Sequence, residues 1–210
     1  MKTPWMEMTV RDFQASLASS SPTPGGGTAA AISLGQAAAL TIMVCDLTIG
    51  RDKWEEGWDA ANSALSCAVR IMTRSGELAE EDSNAFDLVM SSYRLPKDSD
   101  EEIATRKESI QIATLGATKV PLETALLAKD LLTCLPDLAR LGNANAVSDV
   151  GVAGLLASAA CKGALFNVEI NLNGLDSGHE YDEIYDTKTV ILDESRILSK
   201  EIMDIVRSRI

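Results

Sequence analysis

Aromatic rings are scarce in this chain, 4% of its 210 residues, and His179 is its one histidine. A core without rings must be filled by Ala, Leu, Ile, Val and Met, which suits closely spaced helices better than stacked strands. His179 sits in Asp176-Ser177-Gly178-His179-Glu180, a loop without apolar cover. It reads as a solvated residue, so Ser-His or Cys-His chemistry lacks its usual base. Cysteines are few and scattered: Cys45, Cys67, Cys134 and Cys161 lie in apolar, helical surroundings, with no CxxC and no Cys/His cluster. That spacing argues against a zinc site and against a disulfide framework, and it fits a reducing cytoplasm. A basic excess is also missing. Nineteen Lys and Arg face 31 Asp and Glu, for a formal charge of −12, so nucleic acid is not an expected partner. Met1-Lys2-Thr3-Pro4-Trp5 is not followed by the apolar core of a signal peptide.

What the chain does have is a charge-free run from Gly25 to Cys45, opened by Thr23-Pro24-Gly25-Gly26-Gly27-Thr28. The first amides of a helix lack intrahelical partners and can face a polar or negative ligand. Glycines without Cβ atoms let a ligand, or a second backbone, come close. The stretch reads equally as a packing joint or as a ligand loop. The helix it starts, from about Gly27 to Ile49, is long enough to cross a membrane. Alanine dominates it, however, and Gln36 lies inside it, so a buried helix at the centre of a bundle is the expectation and a membrane partner is not.

Around that helix the periodicity predicts others. Val10, Phe13 and Leu17 share one face, behind a cap in which Thr9 meets Asp12. A long helix is expected from Asp52 to about Leu95, weakened at Gly57 and kinked or broken near Gly76. Ser99 and Glu102 form a capping box for a helix reaching Leu141, interrupted at Pro121 and bent at Pro136. Gly142-Asn143 ends it. Ser148-Asp149 opens the next, whose small residues Gly151, Gly154, Ala157, Ala160, Gly163 and Ala164 predict close packing on the second helix. Asn167 to Leu175 reads as an exit, and a final helix runs from about Tyr181 to Arg207. The expectation is one all-α domain over 1–210, a multihelical bundle with a central Ala/Gly-rich helix.

Without an available histidine, acid–base chemistry falls to carboxylates, lysines or cysteines. Asp82 stands where the acidic run Glu77, Glu80, Glu81 meets an apolar face, and it reads either as proton-exchanging or as one more solvated acid. Asp149 stands at a helix start, where the helix dipole alone favours a negative charge. Arg51, Lys97, Arg106 and Lys119 offer a basic lining for a ligand carboxylate. Asn143, Asn145, Asn167, Asn171 and Asn173 can read the edges of a polar heterocycle or simply form caps and turns.

In order along the chain stand Ser21-Pro22-Thr23-Pro24-Gly25-Gly26-Gly27-Thr28-Ala29-Ala30, Leu47-Thr48-Ile49-Gly50-Arg51, Asp82-Ser83-Asn84-Ala85-Phe86 and Leu95-Pro96-Lys97. Glu101-Glu102 with Arg106, Val120-Pro121-Leu122, Gly142-Asn143, Ser148-Asp149 and Asn167-Val168-Glu169-Ile170-Asn171-Leu172 follow. This ordered set resembles the formimidoyltetrahydrofolate cyclodeaminases and methenyltetrahydrofolate cyclohydrolases, from about residue 10 to residue 175. The resemblance implies an all-helical, homodimeric, cytoplasmic enzyme acting on a one-carbon-substituted tetrahydrofolate, without metal or redox cofactor. In animals the family's domain is fused to a formiminotransferase, for which 210 residues leave no room; this tilts the expectation towards the free-standing cyclohydrolase. The expected reaction is hydrolysis of 5,10-methenyltetrahydrofolate to 10-formyltetrahydrofolate, with release of ammonia from formimidoyltetrahydrofolate as the alternative. On the residues that match the family, Asp82 is expected to be the main proton-transfer carboxylate, with Asp149, the second catalytic residue, organising the site or assisting. Pro24, Gly25, Gly26, Gly27, Thr28, Arg51, Lys97, Arg106, Asn143, Ser148, Asn167 and Asn171 are expected to bind substrate, the arginines and Lys97 by attracting its glutamyl tail. The rivals are a non-catalytic helical dimerisation module, which would not bind tetrahydrofolate, and a membrane-anchored module using residues 27–49.

Overall fold

The computed structural model describes residues 3–210, and among these every regular element is helical. Helices α1 (Val10–Leu17), α2 (Gly26–Thr48), α3 (Trp58–Tyr93), α4 (Asp100–Leu141), α5 (Val147–Leu172) and α6 (His179–Arg209) are joined by short connections. Three 3-10 turns, Trp5–Glu7, Asp52–Gly57 and Ala144–Ala146, complete the order. Successive long helices run antiparallel. Helix α2 packs on α3 and α5, α4 packs on the same two from the other side, and α6 lies against α4 and α5. The result is a closed four-helix bundle with a fifth helix laid on one flank. The core is built from Ala, Leu, Val and Ile, with Leu34, Ile71, Leu131, Leu132 and Leu135 fully buried.

The expected all-α class and the central Ala-rich helix are what the chain forms. Helix α2 is apolar on every side and is sandwiched between α3 and α5. Alanines can be buried all round a helix because their small side chains let neighbours approach from several directions. By length and composition, α2 and the segment Ala144–Leu172 would each suffice to cross a membrane, yet about half of each is buried inside the bundle. The stop after α2 is local chemistry: Ile49 turns extended and Gly50 takes φ +73°, which L side chains rarely adopt. The cap of α1 by Thr9 and the Ser99–Glu102 capping box of α4 form as the spacing predicts.

Five expectations need correction. Helix α3 does not break at Gly76 but continues to Tyr93. A Cβ at Gly76 would lie 3.1 Å from Cγ of Met6, so this glycine makes room for the N-terminal segment rather than for a bend. Helix α4 continues through both Pro121 and Pro136. Each proline costs about 3 kcal/mol locally, but packing against α3 and α5 along the helix holds its path. The segment Asn167–Leu172 is not an exit; it forms the last turns of α5. The small-residue stripe of α5 packs on α2 as expected, with Gly163 beside Ala30, but is not confined to it: Gly151 and Gly154 accommodate Val206 and Ile202 of α6. Finally, α3 starts at Trp58, because Asp52–Gly57 forms a 3-10 turn.

Candidate active site

The first turn of α2 meets α3 at Asp82. Gly25 takes the N-cap position with no side-chain cap of its own, and the acid of α3 fills that role from outside. Thr28 Oγ1 donates to Asp82 Oδ2 at 3.0 Å. The carboxyl lies directly over Gly27: a Cβ there would fall 2.1 Å from Oδ1 and 2.7 Å from Oδ2. Glycine is therefore required at 27 by the acid, not by a turn. A carboxylate at a helix N-terminus also has the favourable sense of the helix dipole.

Asp82 is half-buried, and its surroundings separate it from the acidic run before it. Arg74 takes Glu77 and Glu81 on its own helix and Glu123 on α4, all within 2.9 Å. This pulls the neighbouring acids to another face. Burial raises the Asp82 pKa above its ordinary value, opposed by hydrogen bonds from the Thr28 hydroxyl and backbone. A half-open carboxyl held in place by a donor can exchange a proton with a bound molecule.

Asn167 stands close by on α5. Its Nδ2 donates to Gly163 O at 2.9 Å and lies 3.8 Å from where a Cβ on Gly26 would be. Asn171, one turn on, donates to Ala117 O at 2.8 Å and so ties α5 to α4. Pro24, Gly27 and Thr28 are buried, and Gly26 is exposed at the mouth. Beyond Asp82, α3 continues for eleven residues to Tyr93, roughly 16 Å, and there Arg106 donates to Tyr93 O at 3.3 and 3.1 Å while lying over its ring. Lys97 is exposed on the adjoining loop. An apolar groove of about 530 Å³ runs along α2 beneath α1, walled by Trp5, Met8, Phe13, Ile32 and Gln36.

The remaining expected residues lie elsewhere. Arg51, Asn143, Ser148 and Asp149 gather at the other end of α2, roughly 33 Å from Gly26 by helical rise. Asn143 is committed there to structure: its Nδ2 donates to Leu47 O at 2.9 Å, its amide to Thr48 Oγ1 at 3.0 Å, and its Oδ1 accepts from Asn145 N. Asp149 is half-buried and Ser148 exposed in the first turn of α5; Arg51 is exposed. One chain thus brings together Pro24–Thr28, Asp82 and Asn167, with Asn171, Lys97 and Arg106 towards the same end, and does not bring Asp149, Arg51, Asn143 or Ser148 to them. His179 is solvated as expected, with 92% of its side chain exposed.

Two residues of the site escape sequence reasoning. Ser83 stands 3.1 Å from the Thr28 hydroxyl, and Trp5 Nε1 donates to Ser83 at 3.0 Å. Ser83 is one position from Asp82, which on a helix turns it by 100°. Trp5 is a buried ring in the short N-terminal turn, and nothing local ties it to position 83. The only signal is a tryptophan near the N-terminus of a chain poor in rings.

Residues 9–188 match the sequence profile of a family described as formiminotransferase-cyclodeaminase. The methenyltetrahydrofolate cyclohydrolase of Methylorubrum extorquens is 39% identical over 202 residues, 96% of this chain and 97% of that protein. The formimidoyltransferase-cyclodeaminase of Rattus norvegicus is 29% identical over 184 residues, 88% of this chain but only 33% of that protein. The crystal structure of formiminotetrahydrofolate cyclodeaminase from Thermotoga maritima has the same fold, with a TM-score of 0.86 over 97% of this chain and 98% of that one, at 24% identity.

Proposed function

The chain belongs to the formiminotransferase-cyclodeaminase family, and on that footing we propose that it hydrolyses 5,10-methenyltetrahydrofolate to 10-formyltetrahydrofolate. The observation that carries the choice is the match to a cyclohydrolase along almost the whole of both chains, at 39% identity. Asp82 supplies the chemistry. Ionised, it places a negative charge near the methenyl cation and takes a proton from the attacking water as the oxygen–carbon bond forms. The neutral adduct then opens: its carbon–N5 bond breaks, the hydroxyl proton leaves as the formyl group forms, and N5 gains a proton. Water is consumed and one proton is released overall. A carboxyl fixed by the Thr28 donor can accept a proton and return it within one turnover. This chemistry asks for no metal or redox cofactor.

Pro24 to Thr28 and Asn167 form the wall beside the reacting carbon in this proposal, and Lys97 and Arg106 attract the glutamyl tail. Cytoplasmic residence fits four cysteines that are all free.

The functional unit is a homodimer. Helix α5 carries an exposed stripe, Val152, Leu155, Ala159, Phe166 and Ile170, with Phe166 65% and Ile170 69% exposed. Two copies meeting antiparallel along this stripe, crossing at the exposed small residue Ala159, would set Asp149 of one opposite the Asn167 end of the other. Arg51, Ser148 and Asp149 then complete the partner's site, beside the turn that Asn143 holds.

Two assays decide the function. Loss of methenyltetrahydrofolate absorbance should be enzyme-dependent, and ammonia release from formimidoyltetrahydrofolate should be absent. Ammonia release without hydrolysis would assign the cyclodeaminase reaction instead, and no tetrahydrofolate binding at all would leave a non-catalytic helical module. Lys97→Ala with Arg106→Ala should raise KM for polyglutamylated substrate; an unchanged KM removes both from the tail site.

A further inference from the structure

The hydroxyl of Thr28 stands between two oxygens, Asp82 Oδ2 at 3.0 Å and Ser83 Oγ at 3.1 Å. Ser83 Oγ in turn lies 3.0 Å from the indole Nε1 of Trp5. The polarity of this chain is set at its far end. An indole N–H can only donate, so Ser83 Oγ accepts there and keeps its own proton to give. Thr28 has one hydroxyl proton; giving it to Asp82 requires Thr28 to accept from Ser83. The bonds therefore all point the same way, from Trp5 through Ser83 and Thr28 to the carboxylate. Trp5, Ser83 and Thr28 are 3%, 2% and 0% exposed, so water does not compete for these bonds and each polarises the next.

We propose that Trp5 and Ser83 are positioning residues for the reaction: they orient the Thr28 hydroxyl as an obligatory donor and so hold Asp82 ionised and in place over Gly27. This rests on the reading of Asp82 as the proton-exchanging group. It makes the N-terminal turn, 78 positions away from Ser83, a working part of the site. Trp5 also walls the apolar groove, so one side chain both closes that groove and starts the donor chain.

The groups that could otherwise govern Asp82 are engaged or neutral. Helix α2 has no ionisable side chain from Gly25 to Cys45 other than Cys45 itself, at the far end of the helix. On α3, Glu80 accepts from the Trp5 backbone amide, and Glu77 and Glu81 are held by Arg74. On α4, Glu123 is also held by Arg74, and Lys119 pairs with Glu180. On α5, the side chain at the first turn of α2 is the neutral amide of Asn167. Burial and the donor chain are left as the opposing influences on the acid.

The test follows the Asp82 carboxyl directly, by carbon-13 NMR titration of the full chain, beside the pH profile of turnover. Removing support for a donor to an anion raises its pKa, so Trp5→Phe and Ser83→Ala should each raise the midpoint by roughly half a unit. The acid limb of kcat should move by the same amount while KM stays unchanged. Ser83→Thr keeps the hydroxyl and should titrate as the wild type. An unmoved midpoint in folded Ser83→Ala overturns the proposal, and so does Ser83→Thr behaving like Ser83→Ala. Should Trp5→Phe fail to fold, the two Ser83 variants still decide. The titration needs no turnover, so activity retained in Asp82→Asn would sink the catalytic role of Asp82 without being confused with failure of the donor chain.

Discussion

Asp82 carries two duties that single substitutions can separate. Its side chain caps α2 and, by the proposed reaction, exchanges the proton. Asp82→Asn keeps an oxygen for Thr28 but loses the charge, and kcat should fall about 10²–10⁴-fold with the helical circular dichroism unchanged. Stability should move the other way. Burial raises the folded-state pKa of Asp82 above the ordinary 3.8, so the folded chain holds this proton more tightly than the unfolded one. Ionising the group therefore lowers stability as pH rises through the interval above 3.8. The melting temperature of Asp82→Asn should equal or exceed that of the wild type at pH 7, with the gap closing as pH falls towards 4. A variant that melts well below the wild type at pH 7 would contradict the assigned direction. Gly27→Ala offers a second separation. Alanine favours a helix over glycine by about 1 kcal/mol, yet its Cβ would fall 2.1 Å from Oδ1 of Asp82. Activity should drop as far as in Asp82→Asn while thermal stability holds; full activity would show that the acid can move without loss.

Among the elements, the bundle depends on backbones that touch. A Cβ at Gly57 would meet Leu141 O at 2.3 Å and Leu141 C at 2.7 Å, main-chain atoms that cannot rotate away. Gly57→Ala should cost about 1–3 kcal/mol, read as a lower urea midpoint at unchanged slope; an unaltered midpoint would mean the start of α3 shifts freely. Helix limits were legible where the signal is local chemistry: the Thr9 cap, the Ser99–Glu102 box, the end of α2 at Gly50. They were illegible where neighbours override local preference. Pro121 read as a break and Pro136 as a bend because a proline harms an isolated helix, whereas α4 is gripped on two sides. Gly76 read as a weak point because the chain near it does not reveal Met6 lying on it.

At the scale of the molecule, half of the candidate site was legible. Asp82 and Pro24–Thr28 stand in recognisable stretches, and the fold joins them across the 54 positions between Thr28 and Asp82. Trp5 and Ser83 were hidden because a hydrogen bond between distant residues leaves no local pattern. Arg51, Asn143, Ser148 and Asp149 were expected beside Asp82 but sit at the opposite end of α2, which order along the chain cannot reveal. The proposed dimer accounts for them and can be tested. Phe166→Asp with Ile170→Asp should convert the dimer to a folded monomer in sedimentation, with turnover reduced at least about tenfold because each site loses the groups of its partner. Full activity in the monomer would confine the site to one chain.

The overlap between the Asp82 carboxyl and the space above Gly27 binds two distant codons into one unit of inheritance. A lineage that keeps the acid in place over the first turn of α2 is held to glycine at 27. A lineage that gives up the acid could fill position 27 and gain helix stability at once. A relative of this fold carrying alanine at 27 and a small residue at 82 would therefore be expected, before any assay, to lack the proposed chemistry.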